Sequence, residues 1–116
     1  MMEKDYRDYI QDILDSIDEI YVFIGQMSLE EFLNDRKTVK AVLRNLEIVG
    51  EAAKKIPPPL RDKYSDIPWK KMAGLRDKLI HEYFGVDLEI IWQLIKEELP
   101  GILHPIQEML RDLNNG

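Results

Sequence analysis

The residues best suited to chemistry lie in one short stretch, where Arg76, His81 and Tyr83 follow the spacing Arg-x4-His-x-Tyr. Histidine can take and give a proton near neutral pH, because its ordinary pKa lies there. Arginine is always charged, and its fork of N–H donors matches a phosphate. Together they are a minimal set for cutting a phosphodiester without a metal ion. The only other histidine, His104, stands beside Pro105 in a plainer context.

Each of these residues also has an ordinary structural interpretation. A histidine near the end of a helix complements the helix dipole, and a tyrosine on a half-apolar helix usually packs with its hydroxyl towards water. The arginine could simply pair with Glu47, Glu51 or Asp77. Glu47 and Glu51 are one turn apart and could serve as acid and base, although on a charged helix such residues are usually surface groups. Spacing alone leaves both interpretations open.

Helix geometry limits how the arginine and the histidine can meet. On an ideal helix, Arg76 and His81 are about 140° apart around the axis and roughly 7.5 Å apart along it. One straight helix does not aim both at the same point. They converge if the arginine reaches round, if the helix loosens towards Gly85, or if a second copy of the chain supplies one of them. A symmetric dimer would place two such helices face to face.

Apolar residues recur at intervals of three and four along the chain, and no strand-like alternation appears. Gly25 ends the first helix, Ser28 and Glu31 form a capping box, and the prolines Pro57–Pro59 stop the third helix before a loop. This pattern predicts an all-α fold, an antiparallel helical bundle of about four main helices plus short additional helices in one domain over residues 1–116. The first three predicted helices cover 6–24, 28–34 and 35–55. A fourth is capped by Asp66 and ends at Gly85. Another starts at Asp87 and is interrupted by Pro100-Gly101, and a last one starts at Ile102.

Composition excludes several classes of protein. The 116 residues are 45% apolar and 33% charged, as in globular proteins, and the absence of cysteine rules out disulfides and thiol nucleophiles. No apolar run approaches the roughly 20 residues that span a bilayer, and the charged N-terminus does not resemble a signal peptide, so we expect no membrane association and a cytoplasmic location. The net charge of -6 argues against a general nucleic-acid coat protein.

The charge is unevenly distributed along the chain. Between Lys54 and Lys78 stand eight basic and three acidic residues, a local charge of +5, so the remainder carries -6 - 5 = -11. This basic block leads directly into the helix that carries Arg76 and His81. A chance cluster of solvated lysines would look the same in sequence.

Three segments together resemble one family. The runs Asn45–Ile56 (NLEIVGEAAKKI), Ile67–Trp69 (IPW) and Gly74–Asp87 (GLRDKLIHEYFGVD) are similar to the HepT-like branch of the HEPN superfamily, and the similarity covers essentially the whole chain. The resemblance implies a small helical bundle that forms a symmetric dimer, with two Arg-x4-6-His motifs in a cleft at the interface. It also implies a metal-independent endoribonuclease without a cofactor, the toxin of a type II toxin–antitoxin pair whose antitoxin is a minimal nucleotidyltransferase.

The resemblance assigns roles to the candidate residues. It implies that Arg76 and His81 are catalytic and that the antitoxin adenylylates Tyr83 to silence the nuclease. Asp77 occupies a polar position where asparagine is also common, and an acid there could weaken contact with phosphate. RNA supplies its own nucleophile, the 2′-hydroxyl, so a base and a cation suffice, and the expected product carries a 2′,3′-cyclic phosphate.

Two further classes remain open at this point. The chain could be a non-catalytic partner subunit that holds a nucleotide or substrate for a nucleotidyltransferase, or a purely structural dimerisation bundle. The acidic overall charge favours the partner subunit slightly, whereas the set Arg76, His81 and Tyr83 favours the ribonuclease.

Overall fold

Four long helices form the body of the protein in the computed structural model. The structure describes residues 5–81 and 87–115, with the backbone alone for 76–81. Nearly all of the described chain is helical and none of it is extended strand, which confirms the predicted all-α fold with four main helices. The long helices are α1 (Tyr6–Ile24), α3 (Arg36–Lys54), α5 (Trp69–His81) and α7 (Leu99–Asn115); the shorter elements are α2 (Leu29–Asn34), α4 (Pro58–Lys63), α6 (Leu88–Gln93) and the π-helical turn Leu94–Glu98.

Local signals set most helix ends where the sequence predicts them. Gly25 ends α1 with a positive φ of 52°, a conformation that glycine adopts without steric cost. At the start of α2 the Ser28 hydroxyl accepts from the Glu31 N–H at 3.2 Å, and the Glu31 carboxylate accepts from the Ser28 N–H at 3.1 Å. The Asp35 carboxylate accepts the Thr38 N–H at the start of α3, and this hydrogen bond lowers the pKa of Asp35. Asp87 caps α6 in the same way.

The core lies where α3 packs between α1 and α5, and α1 also packs against α7. Burial of the branched aliphatic side chains where these helices meet supplies the main driving force for folding. On α2, Phe32 is fully buried and its ring lies 5.2 Å from that of Trp92, so the short helix is anchored to α6. The fully buried aliphatic residues of α1 and α3 are Ile10, Ile13, Ile17, Ile20, Val42, Leu46, Val49 and Ala53.

Prolines interrupt fewer helices than the sequence predicts. The segment after Pro57, predicted as loop, contains α4, which begins at Pro58. The predicted interruption at Pro100-Gly101 is also wrong, because the helical chain continues from Leu88 to Asn115. Pro58 lies in the first turn of α4, where a backbone N–H is not needed. Pro100 directly follows the π-helical turn and Leu99, and Pro105 lies inside α7 without ending it. Before Pro100 the chain widens into the π-helical turn, and the Leu99 N–H donates to the Leu94 carbonyl five residues earlier.

No helix in the described ranges 5–81 and 87–115 is long and apolar enough to cross a membrane.

Candidate functional site

Helix α5 carries the predicted chemistry, and its first half is firmly held. Trp69 is nearly buried and its indole N–H donates to the Tyr64 carbonyl at 3.0 Å. Met72 is fully buried and Leu75 is buried one turn later. This apolar face fixes α5 in the core, where the helix packs against α3.

Arg76 and His81 both lie on α5, which is helical from Trp69 to His81. An uninterrupted helix keeps their positions about 140° apart around the axis and roughly 7.5 Å apart along it. Arg76 follows the buried Met72 by four residues, so these two positions share one side of the helix. His81 follows the exposed Gly74 by seven residues and therefore shares the opposite side.

Several predicted features lie outside the described residues. The side chains of Arg76, Asp77 and His81 are among them, as are Tyr83 and the helix end predicted at Gly85. The backbone position of Asp77, directly after Arg76 on α5, is described.

The carboxylates predicted as supporting groups lie on α3. Glu47 is half-buried and accepts a hydrogen bond from the Arg44 guanidinium at 3.1 Å, so an arginine of its own helix already engages it. Glu51, one turn further along α3, is also half-buried. Their role beside Arg76 stays a prediction. Within the part of the chain that the structure describes, no three histidines or carboxylates are close enough together to hold a metal ion.

The start of α5 differs from the prediction. The helix begins at Trp69, two residues after the start that an Asp66 cap would give, and the Asp66 side chain accepts no hydrogen bond from it. Trp69 donates its backbone N–H to the Ile67 carbonyl at 2.8 Å, and Met72 donates to the Pro68 carbonyl at 3.0 Å. The backbone N–H groups of Lys70 and Lys71, in the first turn of α5, form no hydrogen bond with a backbone carbonyl of the described residues before the helix.

A basic groove lies beside this helix start, between α4 and α5, with a volume of about 820 Å³. Motif spacing did not predict it, although the cluster of basic residues in the sequence pointed to this region. The polar residues that line it are Arg61, Asp62, Ser65, Lys70 and Lys71, and the others are Pro58, Ile67, Pro68 and Trp69.

Charges within the basic groove are only partly neutralised. Lys71 forms an ion pair with Glu98 of the π-helical turn. Neither Arg61 nor Lys70 has an ion-pair partner among the described residues, and the buried Nε of Arg61 has no hydrogen-bond acceptor there. With three basic residues and one acid, the lining carries a formal charge of 3 - 1 = +2.

Next to the groove, Tyr64 joins α4 to the C-terminal helix. Its hydroxyl lies 3.5 Å from a carboxylate oxygen of Asp112, while its carbonyl holds the Trp69 indole. Partial burial, and then the Asp112 charge, raise the pKa of the Tyr64 phenol. The phenol therefore stays protonated at neutral pH and serves as a structural link.

The fold and the site together define the class: a small all-α protein with an Arg-x4-His motif on one long helix that is packed into the core. Comparison with known proteins places the chain in a particular family within that class. The family described as "Ribonuclease HepT-like" matches residues 13–109, and the chain belongs to it.

Named relatives are similar over nearly their full lengths. A Thermococcus cleftensis protein named "Probable ribonuclease HepT" is 46% identical over 101 residues, which cover 87% of this chain and 92% of the relative. A Methanocaldococcus jannaschii protein named "Putative RNase MJ0127" is 46% identical over 113 residues, covering 97% and 93%. A Caldanaerobacter subterraneus protein named "Putative RNase TTE0752" is 43% identical over 108 residues, covering 93% and 96%. No solved structure matches the chain.

Proposed function

We propose that this protein is a metal-independent endoribonuclease, the toxin of a type II toxin–antitoxin system, which cleaves RNA in the cytoplasm. Arg76 and His81 are its catalytic residues, and the site is completed at the interface of a symmetric dimer. Membership of the HepT-like ribonuclease family supports the proposal. The observation that carries the assignment of residues is the position of both on one unbroken helix, α5.

The reaction needs only a proton acceptor, a proton donor and a cation. One His81 imidazole removes the proton from the ribose 2′-hydroxyl, whose oxygen attacks the adjacent phosphorus. The bond from phosphorus to the 5′-oxygen of the next nucleotide breaks, and a water molecule gives this oxygen its proton. The products are a 2′,3′-cyclic phosphate and a 5′-hydroxyl. Arg76 holds the phosphate and offsets the charge that develops on it.

A second subunit can bring together an arginine and a histidine that a single helix holds apart. Positions 140° apart on one helix do not face a common point. Across a two-fold axis the same surface meets its own copy, so the arginine of one α5 can approach the histidine of the other.

Regulation follows from Tyr83, two residues after His81. Its hydroxyl attacks the α-phosphorus of ATP on the nucleotidyltransferase antitoxin, and pyrophosphate leaves. The attached AMP adds an anionic phosphodiester and a bulky base beside the catalytic pair. It blocks RNA both by charge repulsion and by volume.

A cleavage assay with a chelator tests the nuclease proposal. Purified protein in EDTA should cleave RNA to products with 2′,3′-cyclic ends, and His81→Ala should lower kcat by roughly 10²–10⁴-fold because it removes the general acid–base group. His104→Ala is the matched control, since His104 is exposed and lies 3.3 Å from Glu108 on α7. That control should cleave at the wild-type rate. Expression without the antitoxin should arrest growth for the wild type and His104→Ala only.

The opposite results would point to a different class. If wild type leaves RNA intact and expression of wild type and His81→Ala is equally harmless, the protein is not a nuclease toxin. A stable complex with a nucleotidyltransferase that survives Arg76→Ala together with His81→Ala would then identify a non-catalytic partner subunit.

A further inference from the structure

We propose that the basic groove between α4 and the start of α5 is the binding site for the phosphate backbone of the RNA strand, on one side of the cleavage point. This inference rests on the proposed function and adds to it a substrate-binding surface away from the catalytic pair. It follows from three properties of the groove: its uncompensated charge, its free donors and its position on α5.

The first property is charge that the protein does not neutralise itself. Arg61 and Lys70 line the groove without ion-pair partners among the described residues, whereas Glu98 engages Lys71. Asp62 is the only acid among the described residues of the lining. The chain as a whole carries -6, so most of its surface repels a polyanion. A local positive groove on such a protein directs the strand to one place.

The second property is a set of donors suited to phosphate oxygens. Arg61 offers a planar fork of N–H groups, Lys70 an ammonium and Ser65 a hydroxyl. The unbonded backbone N–H groups of Lys70 and Lys71 add donors at the start of the same helix. Among the described residues that line the groove, Trp69 is the one aromatic residue, and its burial leaves it little face for stacking a base. The groove therefore suits the backbone of a strand and does not distinguish its sequence.

The third property is alignment with the proposed catalytic histidine. Lys70 precedes His81 by eleven residues, which is about three turns or roughly 16.5 Å along an ideal helix. The two positions therefore lie on nearly the same line of α5, with the exposed Gly74 between them. A strand held at Lys70 can follow this line towards position 81 over a few nucleotides.

Equilibrium binding tests the groove separately from cleavage. The ligand is a labelled single-stranded RNA of about 12 nucleotides, and every variant carries His81→Ala so that the RNA stays intact. Arg61→Gln with Lys70→Gln should weaken binding roughly tenfold for each residue. The slope of log K against log salt should fall by about 0.7 for each phosphate that the variant no longer neutralises. Ser65→Asp, at an exposed position, should weaken binding as well and tests the groove if the double variant does not fold.

A charge-matched control separates a local site from general electrostatics. Lys37→Gln with Lys40→Gln also removes two positive charges, but from exposed positions on α3. This pair should leave the affinity for RNA within about twofold of the parent. Equal weakening by both pairs, or no weakening by the groove pair, would overturn the groove assignment. So would displacement of the RNA by AMP at micromolar concentration, since that would indicate a nucleotide site instead. The nuclease proposal fails on separate grounds, namely if wild type does not cleave.

Discussion

Single carboxylates decide which cations near the start of α5 remain available to an anion. Lys70 and Lys71 are neighbours in sequence, yet Glu98 engages only the second. Arg61 lies close to Asp62 in the chain and forms no ion pair with it. An exposed ion pair adds little stability. Because the pair with Glu98 neutralises Lys71, the positive charge available to an anion lies mainly on Arg61 and Lys70.

Tyr83 is the residue at which the regulatory proposal can be tested. Co-expression with a nucleotidyltransferase encoded beside this gene should raise the intact mass by about 329 Da, one AMP residue. The modified protein should no longer cleave RNA, because the added anion would lie beside the proposed catalytic pair, Arg76 and His81. Tyr83→Phe should keep its unmodified mass and its activity.

Tyr6→Phe is the control for this modification, since Tyr6 is an exposed tyrosine on α1. It should still gain the AMP mass. A mass increase that persists in Tyr83→Phe would place the modification elsewhere and separate Tyr83 from regulation.

Helix ends that are set by neighbouring residues in the sequence could be predicted. Helix ends that are set by tertiary packing could not. The predicted helix end at Gly25, the capping box at Ser28 and the helix start near Asp35 depend on local residues, and the structure confirms them. The starts of α4 and α5 were missed. Proline suits the first turn of a helix, as Pro58 shows in α4, and the position of that turn depends on tertiary packing.

Gly74 is a position of α5 at which a substitution should change the stability of the protein. The residue is exposed in the helix, and a Cβ added there would meet no atom within 4 Å. Gly74→Ala should therefore stabilise the isolated chain by about 0.5–1 kcal/mol, through the higher helix propensity of alanine. The midpoint temperature of thermal unfolding should rise by roughly 2–5 °C.

Gly101→Ala on α7 is the matched control, because Gly101 is also helical and exposed, with the same open space around its Cα. Both variants should gain stability to a similar degree. A loss of stability for Gly74→Ala alone would show that another surface closes on this part of α5.

The order of helices in the whole molecule explains why the fold could be predicted and the complete site could not. Amphipathic periodicity indicates which faces are buried, and α3 does lie between α1 and α5. The Lys71–Glu98 ion pair joins residues 27 apart in the chain, so no local pattern reveals it. The proposed dimer is a further step, because a second copy of the chain would leave no periodic signal of its own in the sequence.

Mixed dimers test the composite site at this scale. Arg76→Ala and His81→Ala should each be inactive alone. If each site takes its arginine from one subunit and its histidine from the other, a mixed dimer regains one intact site. Random exchange of equal amounts should then restore about a quarter of wild-type cleavage.

The control for exchange is a mixture of Arg76→Ala with the double variant Arg76→Ala and His81→Ala, which cannot assemble an intact site. Recovery there, or no recovery in the complementary mixture after verified subunit exchange, would argue against a site shared between subunits.

The π-helical turn Leu94–Glu98 has a consequence for how this chain can vary in length. A π turn holds one residue more than the α-helical turn it replaces. Removing the exposed Lys96 would let an ordinary turn form while Leu99, Ile102 and Ile106 kept their inward orientation. The same deletion within α7 would rotate everything after it by about 100° and turn that inner face outwards. Within the described residues, the π-helical turn is therefore a place at which a single-residue gap preserves the inward face of α7.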